Sequence, residues 1–147
     1  MGNLESKNII EPPPNLENAE DKLTKEKLEG QLTEPRSIIV VIMMAPYCST
    51  SRELNSELPY IAKDFPTVQF KKVNTEKNLT LPTDFNAQTF PYIGILYKNE
   101  GGEVKTYDPP IVGNNPQKLR QVLTELTKPP EDPKKKKADK TKKLLKI

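Results

Sequence analysis

The chain has no histidine, no tryptophan and a single cysteine, Cys48. Without an imidazole there is no Ser-His-Asp triad, no Cys-His dyad and no histidine ligand for zinc or haem. One thiol cannot complete a zinc finger, an iron–sulfur site, an intrachain disulfide framework or an internal dithiol couple. Neither a Gly-x-x-x-x-Gly-Lys loop nor a Gly-x-Gly-x-x-Gly turn is present, so nothing points to a nucleotide, and no cofactor and no metal are expected. Long apolar runs are missing as well. The longest, Ser37 to Ala45, is strand-sized, whereas a membrane-spanning helix needs ~20 apolar residues. The N-terminus lacks the basic start and apolar stretch of a secretory signal, and together with the lone cysteine this points to the cytoplasm or another reducing compartment.

What is present suits one domain with polar tails. The chain has 147 residues, 34% of them hydrophobic, a mean hydropathy of −0.70 and 15 prolines. A second core has no material to build it. Residues 1–16, with Pro12, Pro13 and Pro14 and few large apolar groups, read as a flexible arm. Residues 17–127 read as the domain and 128–147 as a tail. The tail holds nine lysines against Glu131, Asp132 and Asp139, a net +6, so the remainder carries −3 of the total +3. Basicity therefore belongs to the tail, a detachable electrostatic contact behind an extended, proline-spaced linker.

Within the domain, strong helix formers from Asn18 to Gln31 predict a helix ended before Pro35. Ser37 to Met44 is a β-branched run that predicts a central strand covered on both faces. Leu54, Leu58, Ile61 and Ala62 fall at helical spacing and predict a helix to Asp64, with Pro59 inside it. Val68–Val73 and Tyr92–Tyr97 read as strands, Leu81–Ala87 as a short helix, and Glu100-Gly101-Gly102 as a turn into a strand over Val104–Tyr107. Asn115 to Leu126, with Leu119, Val122, Leu123 and Leu126, predicts a closing helix. The order α-β-α-β-α-β-β-α gives an α/β fold with a mixed central sheet flanked by helices.

This order, together with certain residues, resembles the thioredoxin superfamily over roughly Ser37 to Thr127. Ala45-Pro46-Tyr47-Cys48-Ser49-Thr50-Ser51 stands where that family has its strand-to-helix active-site turn. There the family usually has tryptophan in the place of Tyr47 and a second cysteine in the place of Ser51. Thr89-Phe90-Pro91-Tyr92 resembles the loop whose proline is cis and faces the reactive sulfur. Pro59, Lys72-Val73-Asn74 and Gly113 also fit the pattern. The resemblance implies that Cys48, Ser51 and Pro91 are the catalytic positions and that Tyr47, Phe90 and Pro91 hold an extended peptide. A cysteine at a helix N-terminus faces unpaired N–H groups and the positive end of the helix dipole, which favour thiolate over thiol.

Two departures bear on activity. Ser51 replaces the resolving cysteine, so a mixed disulfide at Cys48 would need an outside thiol for release, although Ser51 could still hydrogen-bond the thiolate. Ile42 stands where thioredoxins carry a buried aspartate, leaving Lys72 or water as the proton carrier. Two readings of Cys48 stay open: an inert residue inherited with the fold, or the nucleophile of a monothiol thiol-disulfide or glutathione exchanger. Tyr47 and Tyr92 read most simply as core or rim aromatics, Ser51 as a first-turn helix residue, and Phe90-Pro91 as a structural bend.

The ends suggest a tether. Met1-Gly2-Asn3-Leu4-Glu5-Ser6 fits the pattern for N-myristoylation at Gly2. One acyl chain binds membranes only marginally and needs a second signal. Lys134, Lys135, Lys136, Lys137, Lys140, Lys142 and Lys143 would supply it, at ~1 kcal/mol per lysine near an anionic membrane. Nucleic acid ranks lower as a partner, since the tail has no arginine and no aromatic side chain. The expectation is a thioredoxin-like binding or structural module whose partners are proteins and an anionic membrane. A component of a large assembly, such as the particle of a large DNA virus, is an alternative.

Overall fold

The computed structural model describes residues 13–128. A six-stranded sheet runs β1 (Leu16–Asn18), β3 (Gln69–Asn74), β2 (Ile38–Met44), β4 (Tyr92–Lys98) and β5 (Val104–Thr106), with β6 (Ile111–Val112) also on β4. β2 pairs parallel with β3, placing Ile42 opposite Lys72, and antiparallel with β4, placing Ile42 opposite Ile93. β1 lies parallel to β3, while β5 and β6 are antiparallel to β4. The mixed sheet expected from the element order is therefore present.

The run Ile38 to Met44 builds both halves of the core because successive side chains in a strand point to opposite faces. Ile38, Val40 and Ile42 join Leu54, Leu58 and Ile61 of α2 (Ser49–Asp64) and Leu119, Val122 and Leu123 of α4 (Pro116–Thr127). Ile39, Val41 and Met43 join Leu28 of α1 (Lys25–Gln31) and Leu81 of α3 (Thr80–Asp84). Helices thus cover both faces. α2 continues through Pro59 to Asp64, and α4 begins at Asn115, whose side chain accepts from the Lys118 N–H.

Three segments differ from expectation. Pro13 to Leu16, read from the sequence as part of the arm, belongs to the fold. The Asn15 amide is buried and donates to the carbonyls of Ala62, Phe65 and Val68 at 3.0, 2.9 and 2.8 Å, and Leu16 opens β1. The first helix starts at Lys25 instead of Asn18. Sheet bonding claims Leu16–Asn18, the Ala19 N–H continues it to Lys72 O at 2.8 Å, and Thr24 then caps the helix by accepting from the Lys27 N–H. β6, paired with Tyr92 and Ile93, is an additional two-residue strand.

Candidate functional site

β2 ends at Met44 and the chain turns through Ala45-Pro46-Tyr47, the turn closed by the Cys48 N–H on Ala45 O at 2.9 Å. Cys48 is the N-cap of α2. Its backbone is extended, and its carbonyl accepts the helical bond from the Arg52 N–H at 3.1 Å. A cap residue of this geometry faces the first-turn N–H groups, which have no partner inside the helix. The consequence is electrostatic. The Ser51 N–H lowers the Cys48 pKa most, desolvation opposes it, and the Thr50 N–H and the hydroxyls of Thr50 and Ser51 lower it further. Cys48 is half-buried, while its neighbour Tyr47 is 75% exposed.

Across the turn, Cys48 Sγ lies 3.9 Å from Phe90 O, a contact in which the thiol donates to the carbonyl. The Phe90–Pro91 bond is cis and Pro91 is buried. Pro91 O accepts from the Gly113 N–H at 2.8 Å, and Gly113 adopts a φ of +87°, a conformation that favours glycine. The end of β2, the start of α2 and the Phe90-Pro91 bend before β4 thus meet at the sulfur, and the loop before α4 is bonded to that bend. The fold brings together Tyr47, Cys48, Ser51, Phe90 and Pro91. Tyr92 points elsewhere: its hydroxyl donates to Phe85 O at 3.1 Å, and burial, then the charge of Asp108, raises its pKa.

Ser51 is only 2% exposed, and its hydroxyl accepts from the Ala45 N–H at 3.2 Å. That bond ties the helix start to the end of β2. Ile42 is fully buried among aliphatic side chains, so no acid stands behind the sulfur. Lys72 holds Asn55 Oδ1 at 3.3 Å and lines, with Ser51, a cavity whose lining does not include Cys48. The amine is therefore on the Ser51 side of the turn.

A profile of the thioredoxin family, described simply as Thioredoxin, matches residues 20–125. The chain belongs to the thioredoxin family. Trichomonas vaginalis thioredoxin is 25% identical with a TM-score of 0.66, over 77% of this chain and 98% of that one. Fasciola hepatica thioredoxin is 25% identical with a TM-score of 0.59, over 69% and 90%. Trypanosoma brucei brucei thioredoxin, at 22% identity and a TM-score of 0.60 over 79% and 93%, is similar in fold. No curated protein matches the chain. This member of the thioredoxin family keeps the turn, the cis proline and the helix-capping cysteine with one cysteine in all.

Beyond the Asp108-Pro109-Pro110 string, the sequence did not signal a second cis bond, Asp108–Pro109, before β6, nor that the Asp108 charge acts on Tyr92. Among the described residues, no cluster of three or more metal-ligating side chains occurs and no helix is long and apolar enough to cross a membrane. Gly2 and the tail lysines Lys134, Lys135, Lys136, Lys137, Lys140, Lys142 and Lys143 lie outside the described residues.

Proposed function

We propose that this thioredoxin-family chain is a binding module whose redox site is incomplete, with its ends acting as a tether to an anionic membrane or a large assembly. The observation that carries the module reading is the state of Ser51. At the position of the resolving cysteine it offers a hydroxyl, buried and engaged with the Ala45 N–H. A disulfide formed at Cys48 then has no internal thiol to displace it. The fully buried Ile42 supports the same reading, since it supplies no proton. The groove remains usable without chemistry. Exposed Tyr47 and the backbone at Phe90-Pro91 offer an aromatic surface and a main-chain edge for an extended protein segment. The tether rests on the Met1-Gly2-Asn3-Leu4-Glu5-Ser6 pattern and the +6 tail.

The lowered pKa of Cys48 favours a second reading, monothiol exchange. In it the thiolate attacks a partner's disulfide, one S–S bond forms as the other breaks, and the displaced thiolate leaves. An external thiolate then restores Cys48 and departs as the new disulfide. Glutathione-disulfide exchange by wild type against Cys48→Ser separates the readings. Equal rates support the module, whereas a Cys48-dependent rate supports the exchanger and removes the first reading. Intact mass of the native protein tests the tether, which loses its lipid half if the fatty acyl group is missing.

A further inference from the structure

A cavity of about 430 Å³ opens between the end of β2, the first turns of α2 and the end of β3. That volume is within the range of small-molecule sites, ~300–1,000 Å³. Three cations line it, Arg52, Lys72 and Lys77, against one carboxylate, Asp21. Among the described residues the ion pairs are Lys71–Glu17, Lys105–Glu103, Arg120–Asp64 and Lys128–Glu125, so none of the three cations has a carboxylate partner. Lys72 donates to the neutral Asn55 amide at 3.3 Å, and Arg52 to Pro46 O at 3.0 Å. Each contact uses one of several donors that the side chain carries. Half-buried Met44 supplies an apolar part of the lining.

We propose that this cavity binds a small phosphomonoester. Three cations against one carboxylate leave two net positive charges, which a phosphomonoester dianion neutralises. Arg52 presents a planar fork suited to two phosphate oxygens, and Lys72 and Lys77 act as point charges beside it. The carbon part of the ligand lies against Met44. Cys48 does not line the cavity, so the ligand is held without the sulfur.

The test is an amide chemical-shift titration of the full chain with glycerol 3-phosphate, glycerol and citrate. The expected result is saturable one-to-one binding of glycerol 3-phosphate that moves the amides of Arg52, Lys72, Val73 and Lys77, with no response to glycerol. Lys72→Gln and Lys77→Glu should each weaken it about tenfold or more, the loss of one charge-assisted contact. Lys77 is exposed, so Lys77→Glu gives a clean reading even if Lys72→Gln disturbs packing around β3. Shifts confined to the lysine tail, unchanged affinity in Lys77→Glu, or tighter binding of citrate than of glycerol 3-phosphate would each overturn the proposal.

Discussion

Replacing Asn15 with alanine tests how the segment leading into β1 locks onto the core. The side-chain amide donates to three carbonyls around the end of α2 and the turn into β3, at 2.8 to 3.0 Å. Two of those carbonyls keep another donor after the substitution: Ala62 O accepts from the Phe65 N–H and Phe65 O from the Val68 N–H. The loss is thus nearer one buried unsatisfied group than three, about 2 kcal/mol within a range of ~1–3. For a domain of about this size, each kcal/mol shifts Tm by on the order of 4 °C, so thermal unfolding by circular dichroism should show a fall of ~4–12 °C. Glu17→Gln, two residues further on in β1, is the control. Its pairing with Lys71 is solvent-exposed on the glutamate side, where such pairs contribute ~0.5 kcal/mol, and Tm should move by about 2 °C. Asn15→Ala unfolding no earlier than Glu17→Gln would refute the reasoning.

Alkylation of Cys48 by iodoacetamide should titrate below the ordinary thiol value of ~8.5, because first-turn N–H groups favour the thiolate. Thr50→Val should move the midpoint up, since it removes a hydroxyl that lowers the pKa. Gly94→Ala should destabilise by ~1–3 kcal/mol in urea unfolding, because the added Cβ would stand 2.6 Å from Phe85 Cε1. Phe85→Leu in the same chain should recover part of that loss by removing the ring edge. A double variant no more stable than Gly94→Ala alone would show that the contact is not the cause.

Much of the fold was legible because one strand carried so much of it. Ile38 to Met44 is apolar at every position, and only a strand covered on both faces uses such a run. The spacing of Leu54, Leu58, Ile61 and Ala62 likewise gave the buried face of α2, which continues past Pro59. The turn at Cys48 and the bend at Phe90-Pro91 could be placed together through the family resemblance that their residues carry, and the sulfur lies 3.9 Å from Phe90 O. The opening residues were harder to read. Asn15 does its work through carbonyls 47 to 53 residues away, so no local pattern signals it. Asn18 to Thr24 has good helix formers, yet sheet bonds to β3 take the backbone first and leave Thr24 to start the helix. β6 was hidden because two residues carry no periodicity. The cationic cavity gathers Asp21, Arg52, Lys72 and Lys77 from separate elements, a juxtaposition visible only in three dimensions.

Insulin reduction by dithiothreitol, followed by turbidity for wild type, Cys48→Ser and Ser51→Cys, measures most directly whether the missing resolver silences this site. Wild type should match Cys48→Ser, and Ser51→Cys should exceed both by about tenfold or more, since an adjacent thiol releases the mixed disulfide from within. A wild-type rate equal to that of Ser51→Cys and well above Cys48→Ser would contradict the account, because catalysis would then be proceeding without the second sulfur.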